Sequence, residues 1–268
     1  MKPKLLTFIL AVLFSFSSFS VSFADNFQDG VDAYERGDYK TAYKLFLPVA
    51  EQGDAEAQYN LGLMHHKGRG LPQNHKKAVE WYRLSAEQGE NHAQLHLGYM
   101  HNHGLGVSQD SEEAFRLYRL SAEQGNDSAQ VNLGLMYAQG EGIPKNYKEA
   151  LKLFRLSAEQ GNIGAQTNLG WMYDYGYGVP QDLKEALRIY RHSAELGNIY
   201  AQYNLGMMYQ SGKGAPEDYT SAHMWWSIAG SAGHEEAREK IVLLEQLMMH
   251  SQIQNANELA RNWKPKTK

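Results

Sequence analysis

NIGAQTNLGWMYDYGYGVPQDLKEALRIYRHSAELG, residues 162–197, holds one full period of a pattern that runs through most of the chain. Asn162 follows Gly161 and is placed to N-cap a helix through its side-chain oxygen. Ala165, Leu169, Met172 and Tyr173 recur at helical spacing. Gly176-Tyr177-Gly178-Val179-Pro180 then stops that helix, by backbone permissiveness and by a missing donor. Asp182 and Glu185 have the spacing of a capping box opening a second helix. Its apolar stripe is Ala186, Ile189, Tyr190 and Ala194, and Gly197 closes it as a left-handed C-cap. Two helices of about 13 residues, A and B, joined by tight turns, form one antiparallel hairpin.

Outward from this stretch the same columns fill again. Ala50-Glu51-Gln52-Gly53 returns at 86–89, 122–125 and 158–161, changes to Ala194-Glu195-Leu196-Gly197, and fades at Gly233, with the glycines 36 residues apart. A fixed period in the range of 20–50 residues marks a stacked-repeat architecture. Helix A carries Ala57, Ala93, Ala129, Ala165 and Ala201, then Leu61, Leu97, Leu133, Leu169 and Leu205, each followed by glycine: Gly62, Gly98, Gly134, Gly170 and Gly206. Glycine inside a helix costs about 1 kcal/mol against alanine. Five at one column imply helices too close for a Cβ. Helix B supplies Ala78, Ala114, Ala150, Ala186 and Ala222, with Tyr82, Tyr118, Phe154, Tyr190 and Trp226 four residues on. The small residue admits the neighbour and the aromatic fills the space.

The combined pattern, A-Q-x-x-L-G-x-M-[YH]-x-x-G-x-G followed by [ND]-x-x-x-A-x-x-[WLI]-[YFW] and A-E-Q-G, resembles the Sel-one-like repeat (SLR) family, a 36-residue relative of the tetratricopeptide repeat. It covers 54–233 as copies 54–89, 90–125, 126–161, 162–197 and 198–233. Residues 25–53 are similar instead to a tetratricopeptide unit, through Gly30, Ala33, Gly37-Asp38-Tyr39, Ala42 and Phe46. The resemblance implies an all-α fold, a right-handed α-solenoid of antiparallel helix pairs. Residues 234–263 depart from the repeat and are expected to cap the stack as helices His234–Met249 and Gln252–Trp263, with 264–268 a frayed basic tail.

The first 24 residues read as a secretory signal peptide: Lys2 and Lys4, an apolar run from Leu5 to Phe16, and small residues at Ser22 and Ala24 before the cleavage point. The run is too short for a bilayer span. Export places the chain in a bacterial periplasm or outside the cell. There is no cysteine, so neither a disulfide framework nor a lipid-modified cysteine is available. Removing Lys2 and Lys4 leaves 24 basic residues against 30 acidic ones, net −6, without the concentrated basic face a nucleic acid needs.

Three residue patterns bear on possible chemistry. The G-x-G turns (Gly68, Gly104, Gly140, Gly176 and Gly212 open them) follow helices, whereas a nucleotide cradle follows a strand. Seven of the 11 histidines, His65, His66, His75, His92, His96, His101 and His103, fall in one stretch, and His92 with His96 share a helical face. Zinc would need a third ligand from a neighbouring repeat. His65 and His101, however, stand in the column of Tyr137, Tyr173 and Tyr209, where an aromatic packs. Some cysteine-rich relatives of the resembled family are linked to β-lactam binding or hydrolysis, but no serine here is followed at +3 by lysine and K-T-G is absent. No enzyme, cofactor or metal site is expected. A ladder of Arg83, Arg119, Arg155 and Arg191, each four residues before Glu87, Glu123, Glu159 or Glu195, reads as structural i,i+4 pairs.

By resemblance to tetratricopeptide stacks, helix A lines a concave surface. That places Tyr59, Leu63, His66, Leu95, Tyr99, Asn102, Val131, Leu135, Thr167, Trp171, Asp174, Tyr203, Met207 and Gln210 in a partner-binding groove. These positions vary between repeats and are rich in the aromatics that anchor partners. The function expected is a non-catalytic exported adaptor gripping a protein or peptide. The alternative is a cell-wall or small-molecule binder of β-lactam type with hydrolase activity.

Overall fold

The structure is a computed structural model that describes residues 26–266; the proposed signal peptide and the last two residues of the basic tail lie outside them. The described residues are helical, with turns between. Two compact units divide the chain, one ending at Gln124 and the other beginning at Gly125. The first contains α1 (26–35), α2 (Tyr39–Glu51), α3 (Ala55–Lys67), α4 (His75–Glu87), α5 (Asn91–His103) and α6 (Ser111–Glu123). The second contains α7 (Asp127–Gln139), α8 (Tyr147–Glu159), α9 (Ile163–Tyr175), α10 (Leu183–Glu195), α11 (Ile199–Ser211), α12 (Tyr219–Ser231), α13 (Glu235–Glu245) and α14 (His250–Asn262). From α2 to α6 and from α7 to α12 consecutive helices pack as antiparallel pairs and each pair packs on the next, while α13 and α14 both pack on α12.

Local chemistry sets the boundaries. Each helix A begins at an acidic or amide side chain that accepts from the third residue on, as Asn162 does from the Ala165 N–H at 2.9 Å. It ends at a glycine in the left-handed region, such as Gly176 at φ +72°. Asp182 caps α10 by accepting from the amides of Lys184 and Glu185. The reciprocal half of a capping box is missing, because the Glu185 carboxylate pairs with Arg188 at 2.7 Å instead. At the end of the chain α13 stops at Glu245 rather than Met249, where Leu247 N–H turns back to the Leu244 carbonyl.

The glycine column does what its spacing predicts. A Cβ built on Gly134 would lie 2.6 Å from Phe154 Cε1, and one on Gly62 2.5 Å from Tyr82 Cδ1. Gly98 meets Tyr118, Gly170 meets Tyr190 and Gly206 meets Trp226 in the same way. The aromatic rings are fully buried or nearly so. The second glycine of four of the G-x-G turns, Gly70, Gly106, Gly178 and Gly214, has its own contact: a Cβ on Gly178 would strike the Tyr147 carbonyl oxygen at 2.6 Å, so this turn lies flat on the start of the preceding helix B.

Buried polar groups fasten each helix B to its neighbours. Ser85 Oγ donates to the Ala55 carbonyl at 2.6 Å, Ser121 to Asn91 at 2.7 Å and Ser157 to Asp127 at 2.9 Å. Gln58 and Gln94 donate to the carbonyls of Ala50 and Ala86, and accept from Gln88 and Gln124 at 2.8 Å. Gln130 accepts from Gln160 at 2.9 Å. The arginine ladder departs from expectation. Arg119 reaches Glu123 at 3.8 Å, but Arg155 and Arg191 donate to the hydroxyls of Tyr173 and Tyr209. The longer guanidinium reach across to the next helix A is preferred to a strained pairing at a helix C-terminus, where a carboxylate is disfavoured.

Gly134→Leu is expected to lower unfolding free energy by about 1–3 kcal/mol through overpacking on Phe154, read as a shift in urea midpoint. Ser157→Ala should cost about 1 kcal/mol by removing the hydrogen bond from its hydroxyl to the Asp127 carbonyl. An unshifted midpoint in both variants would contradict this account of the helix interface.

Candidate functional site

The helix A residues expected to meet a partner fall into separate settings in the two units. In the first unit α3 and α5 contribute Tyr59, Leu63, His66, Leu95, Tyr99 and Asn102, and the aromatic members converge. His66 lies 6.2 Å from Tyr99 between ring centroids. Tyr59 lies 5.8 Å from His92 and 5.7 Å from His96. His96 stacks on Tyr82 at 5.3 Å with the planes 10° apart, and Tyr99 stacks on His103 at 4.1 Å. His75, from the start of α4, closes the cluster at 5.4 Å from His66. Leu63, Leu95 and Asn102 are half-buried, and Asn102 Oδ1 has no hydrogen-bond partner among the described residues. The clips that hold the helix ends are side-chain amides: Gln73 donates to the His66 carbonyl at 2.7 Å and Gln109 to that of Asn102 at 2.9 Å.

Burial governs the electrostatics of this cluster. His96 is held down to about 4, chiefly by desolvation and secondarily by the charges of His66, Lys67 and His92. Burial also lowers His66, with Lys67 and His75 adding to the effect. The Tyr59 hydroxyl is pushed up to about 12 by burial and then by Glu90. Burial therefore keeps His66 and His96 neutral at physiological pH. Among the described residues no group of three or more His, Asp or Glu is placed to hold a metal ion. His92 and His96 spend their faces on Tyr59. His65 and His101 pack as their column predicts: His65 is buried with its ring edge-on to Tyr43 at 5.8 Å, and His101 is nine-tenths buried.

In the second unit Trp171 is the centre. Its ring lies 4.8 Å from Tyr177, 6.0 Å from Tyr175 and 6.4 Å from Tyr147. Tyr177 stacks on Tyr147 at 4.4 Å and on Tyr175 at 5.6 Å. Leu135 packs into the same cluster, with Val131 half-buried one turn earlier on α7. Asp174 is half-buried; desolvation raises its carboxyl above the ordinary value, and Lys213 partly offsets this. Thr167 is buried and its hydroxyl donates to the Ile163 carbonyl at 3.0 Å, so it offers a methyl rather than a hydrogen bond. Tyr203 stacks on His234 at 4.4 Å, Met207 packs against the Trp226 cluster and Gln210 is half-buried. The sequence reading missed Tyr147, Tyr175, Tyr177 and Tyr82 as companions of these residues. The first three sit in or beside the turn between helices, and Tyr82 belongs to the packing column. Their only signal was aromatic identity.

A hydroxyl–imidazole–carboxylate line also occurs in the second unit. His223, buried in α12, has Nε2 2.9 Å from Glu245 Oε1 and Nδ1 3.2 Å from Ser227 Oγ. Acyl transfer needs amide donors aimed at a developing oxyanion. The amides around Ser227 lie inside α12 and are spent on the helix. The line instead ties α12 to α13.

The stability of the first unit should fall with acid before its carboxylates titrate. His96 has a folded value near 4 against 6.5 unfolded, so the unfolded chain binds the extra proton between these limits. The contribution of the neutral ring is complete above pH 6.5, declines as pH falls and is lost near pH 4, amounting to about 3 kcal/mol. Urea titrations at pH 7.5 and 5.0 should show a smaller pH difference for His96→Phe than for the unsubstituted chain; equal differences would refute it.

The repeating pairs can now be compared with known proteins. The Sel1 repeat pattern matches residues 24–54, 55–90, 91–126, 127–162, 163–198 and 199–234. The first of these falls on the stretch that the sequence alone likened to a tetratricopeptide unit. A Sel1 repeat protein of Oxalobacter formigenes is similar in structure with a TM-score of 0.80 and 32% identity, covering 90% of this chain and 98% of that one. A Sel1 repeat protein of Klebsiella pneumoniae shares the fold with a TM-score of 0.51 and 24% identity, over 76% of this chain and 99% of the other. Among curated proteins, the DAP3-binding cell death enhancer 1 of Rattus norvegicus is 40% identical over 80 residues, and that of Mus musculus over 60. These stretches are 29% and 22% of this chain, and 16% and 12% of those relatives, so the chain spans less than a fifth of their length. Six matched repeats across most of its length, carried on packed helix pairs like those of the Oxalobacter formigenes protein, show that this chain belongs to the Sel1 repeat family.

Proposed function

We propose that the protein is an exported, non-catalytic adaptor that grips an extended segment of another protein along its helix A faces. Sel1 repeat proteins are in general protein–protein interaction scaffolds. No described helix is long and apolar enough to cross a membrane. The observation that carries the reading is the gathering of partly exposed aromatic rings on and beside helix A: Tyr59, His66 and Tyr99 in one unit and Trp171 with Tyr175 and the turn residue Tyr177 in the other. Aromatic side chains bring large contact area at small entropic cost, which makes them favoured anchors. Rings gathered in this way suit an apolar or aromatic segment better than a charged ligand. Export rests on the N-terminal basic–apolar–small pattern of residues 1–24. The lack of S-x-x-K and of an oxyanion cradle beside Ser227 argues against the hydrolase alternative.

Affinity capture from the native bacterial envelope, with identification by mass spectrometry, tests the reading. Trp171→Ala and Tyr99→Ala should each weaken the captured interaction, Trp171→Ala by about 2 kcal/mol or more, with helical circular dichroism retained. Capture that is indifferent to both substitutions in folded protein would refute the assignment of the helix A face.

A further inference from the structure

The C-terminal tail shows what a second surface of this fold can hold. Residues beyond α14 run back over α10, α11 and α12. Trp263 packs into the core cluster of Ala194, Leu205, Trp225 and Ile228, its ring edge-on to Trp225 at 6.0 Å. Pro265 lies on the backbone of Gly197, with its Cβ 3.6 Å from where a Cβ would stand. Lys266 N–H donates to the Glu195 carbonyl at 2.8 Å, and its Nζ reaches Glu195 Oε2 at 2.8 Å. The ammonium thus meets the last carboxylate of α10 while the backbone amide of the same residue satisfies a carbonyl at that helix C-terminus. None of these receptor residues is among those expected to face a partner from helix A.

Three repeats earlier, in the first unit, the same receptor is built again. Its core cluster of Ala78, Val79, Tyr82, Ala86, Ala93, Leu97, Met100 and Leu117 corresponds column by column to Ala186, Leu187, Tyr190, Ala194, Ala201, Leu205, Met208 and Trp225. Glu87 ends α4 as Glu195 ends α10. Gly89 has the same φ, +92°, as Gly197, but a Cβ there would meet nothing within 4 Å. A cavity of about 460 Å³ lies here, lined by Glu87, Gly89, Leu97, His101, Leu117 and Leu120 among others. Leu120 is half-buried, whereas its counterpart Ile228 is buried. His101, nine-tenths buried, lines the cavity with Nδ1 lacking a partner. Glu113 at the rim is engaged by Arg116 at 2.6 Å, so Glu87, with Arg83 one turn before it, is the other carboxylate of the lining.

We propose that this groove between α4, α5 and α6 is a second binding site, for an extended segment of a partner protein with tail-like chemistry: a bulky aromatic anchor followed within a few residues by a lysine. The aromatic seats on Leu97, Leu117 and Leu120, and the lysine meets Glu87 at the end of α4. The chain's own tail does not compete, because its tether to α14 keeps it at high effective concentration over α10.

The test uses the full chain and a fluorescent peptide of sequence Arg261–Lys266. Anisotropy should show saturable binding, weakened more than tenfold by Leu120→Arg and about two- to fivefold by Glu87→Lys at low salt, in variants whose melting curves match the parent. A peptide with Lys266→Glu should bind Glu87→Lys better than it binds the parent. Binding indifferent to both substitutions would overturn the proposal, as would binding that responds to Glu195→Lys alone, since the peptide would then be displacing the tail. Self-association in sedimentation velocity that disappears with Trp263→Ala would also overturn it, by assigning the groove to a second copy.

Discussion

In each repeat the edge of a helix B ring rests on bare helix A backbone, Tyr82 on Gly62 and Tyr118 on Gly98 in the first unit, Phe154 on Gly134 in the second. That contact sets how closely the two helices approach. A Cβ at the glycine would force the ring out, and a smaller side chain on helix B would leave a void, since interiors are packed as densely as organic crystals. The cost of glycine in a helix is offset by the buried ring. The same close approach brings the start of helix A within reach of the helix B serine, so the Ser85, Ser121 and Ser157 hydroxyls each find a carbonyl thirty residues back. In the repeat 162–197 the ring contact of Tyr190 on Gly170 is kept, but the corresponding carbonyl, that of Ile163, accepts from Thr167 instead of from Ser193.

Once the packing columns are committed, the remaining positions of each helix are free to differ. On helix A they hold histidines and tyrosines in the first unit and a tryptophan ringed by tyrosines in the second. The histidines behave as aromatics, because desolvation keeps His66 and His96 neutral and ring contacts occupy their faces. On the other side the groove between successive helices B has an acidic helix end, a glycine and a leucine floor. In the second unit that groove receives a segment of the same chain, with the tryptophan in the apolar floor and the lysine at the helix terminus. A repeat with invariant packing can thus present two unlike surfaces, one aromatic and one combining apolar depth with a negative end.

Sel1 repeat proteins are in general protein–protein interaction scaffolds. The line from Ser227 through His223 to Glu245 runs from α12 to α13, and the amides around Ser227 are already bonded within α12. What it does is fix α13 against α12, which a terminal pair without a following repeat requires.

The period, the helix pairs and their caps could be read from residues alone, because each is enforced locally: a capping side chain reaches three residues, a glycine bears its own positive φ, and a helical stripe repeats every turn. The glycine–aromatic contact was legible too, since five copies of a costly residue opposite five large rings admit few other readings. What the residues could not show was which polar groups meet across helices. The buried glutamines Gln58, Gln94 and Gln130, the Arg155–Tyr173 and Arg191–Tyr209 bonds, the ring cluster around Trp171 and the docking of Trp263 and Lys266 on α10 to α12 all join positions distant in sequence. Their partners are chosen by the angle and spacing at which whole helices pack, and that is set by the sum of many contacts rather than by any residue's own preference.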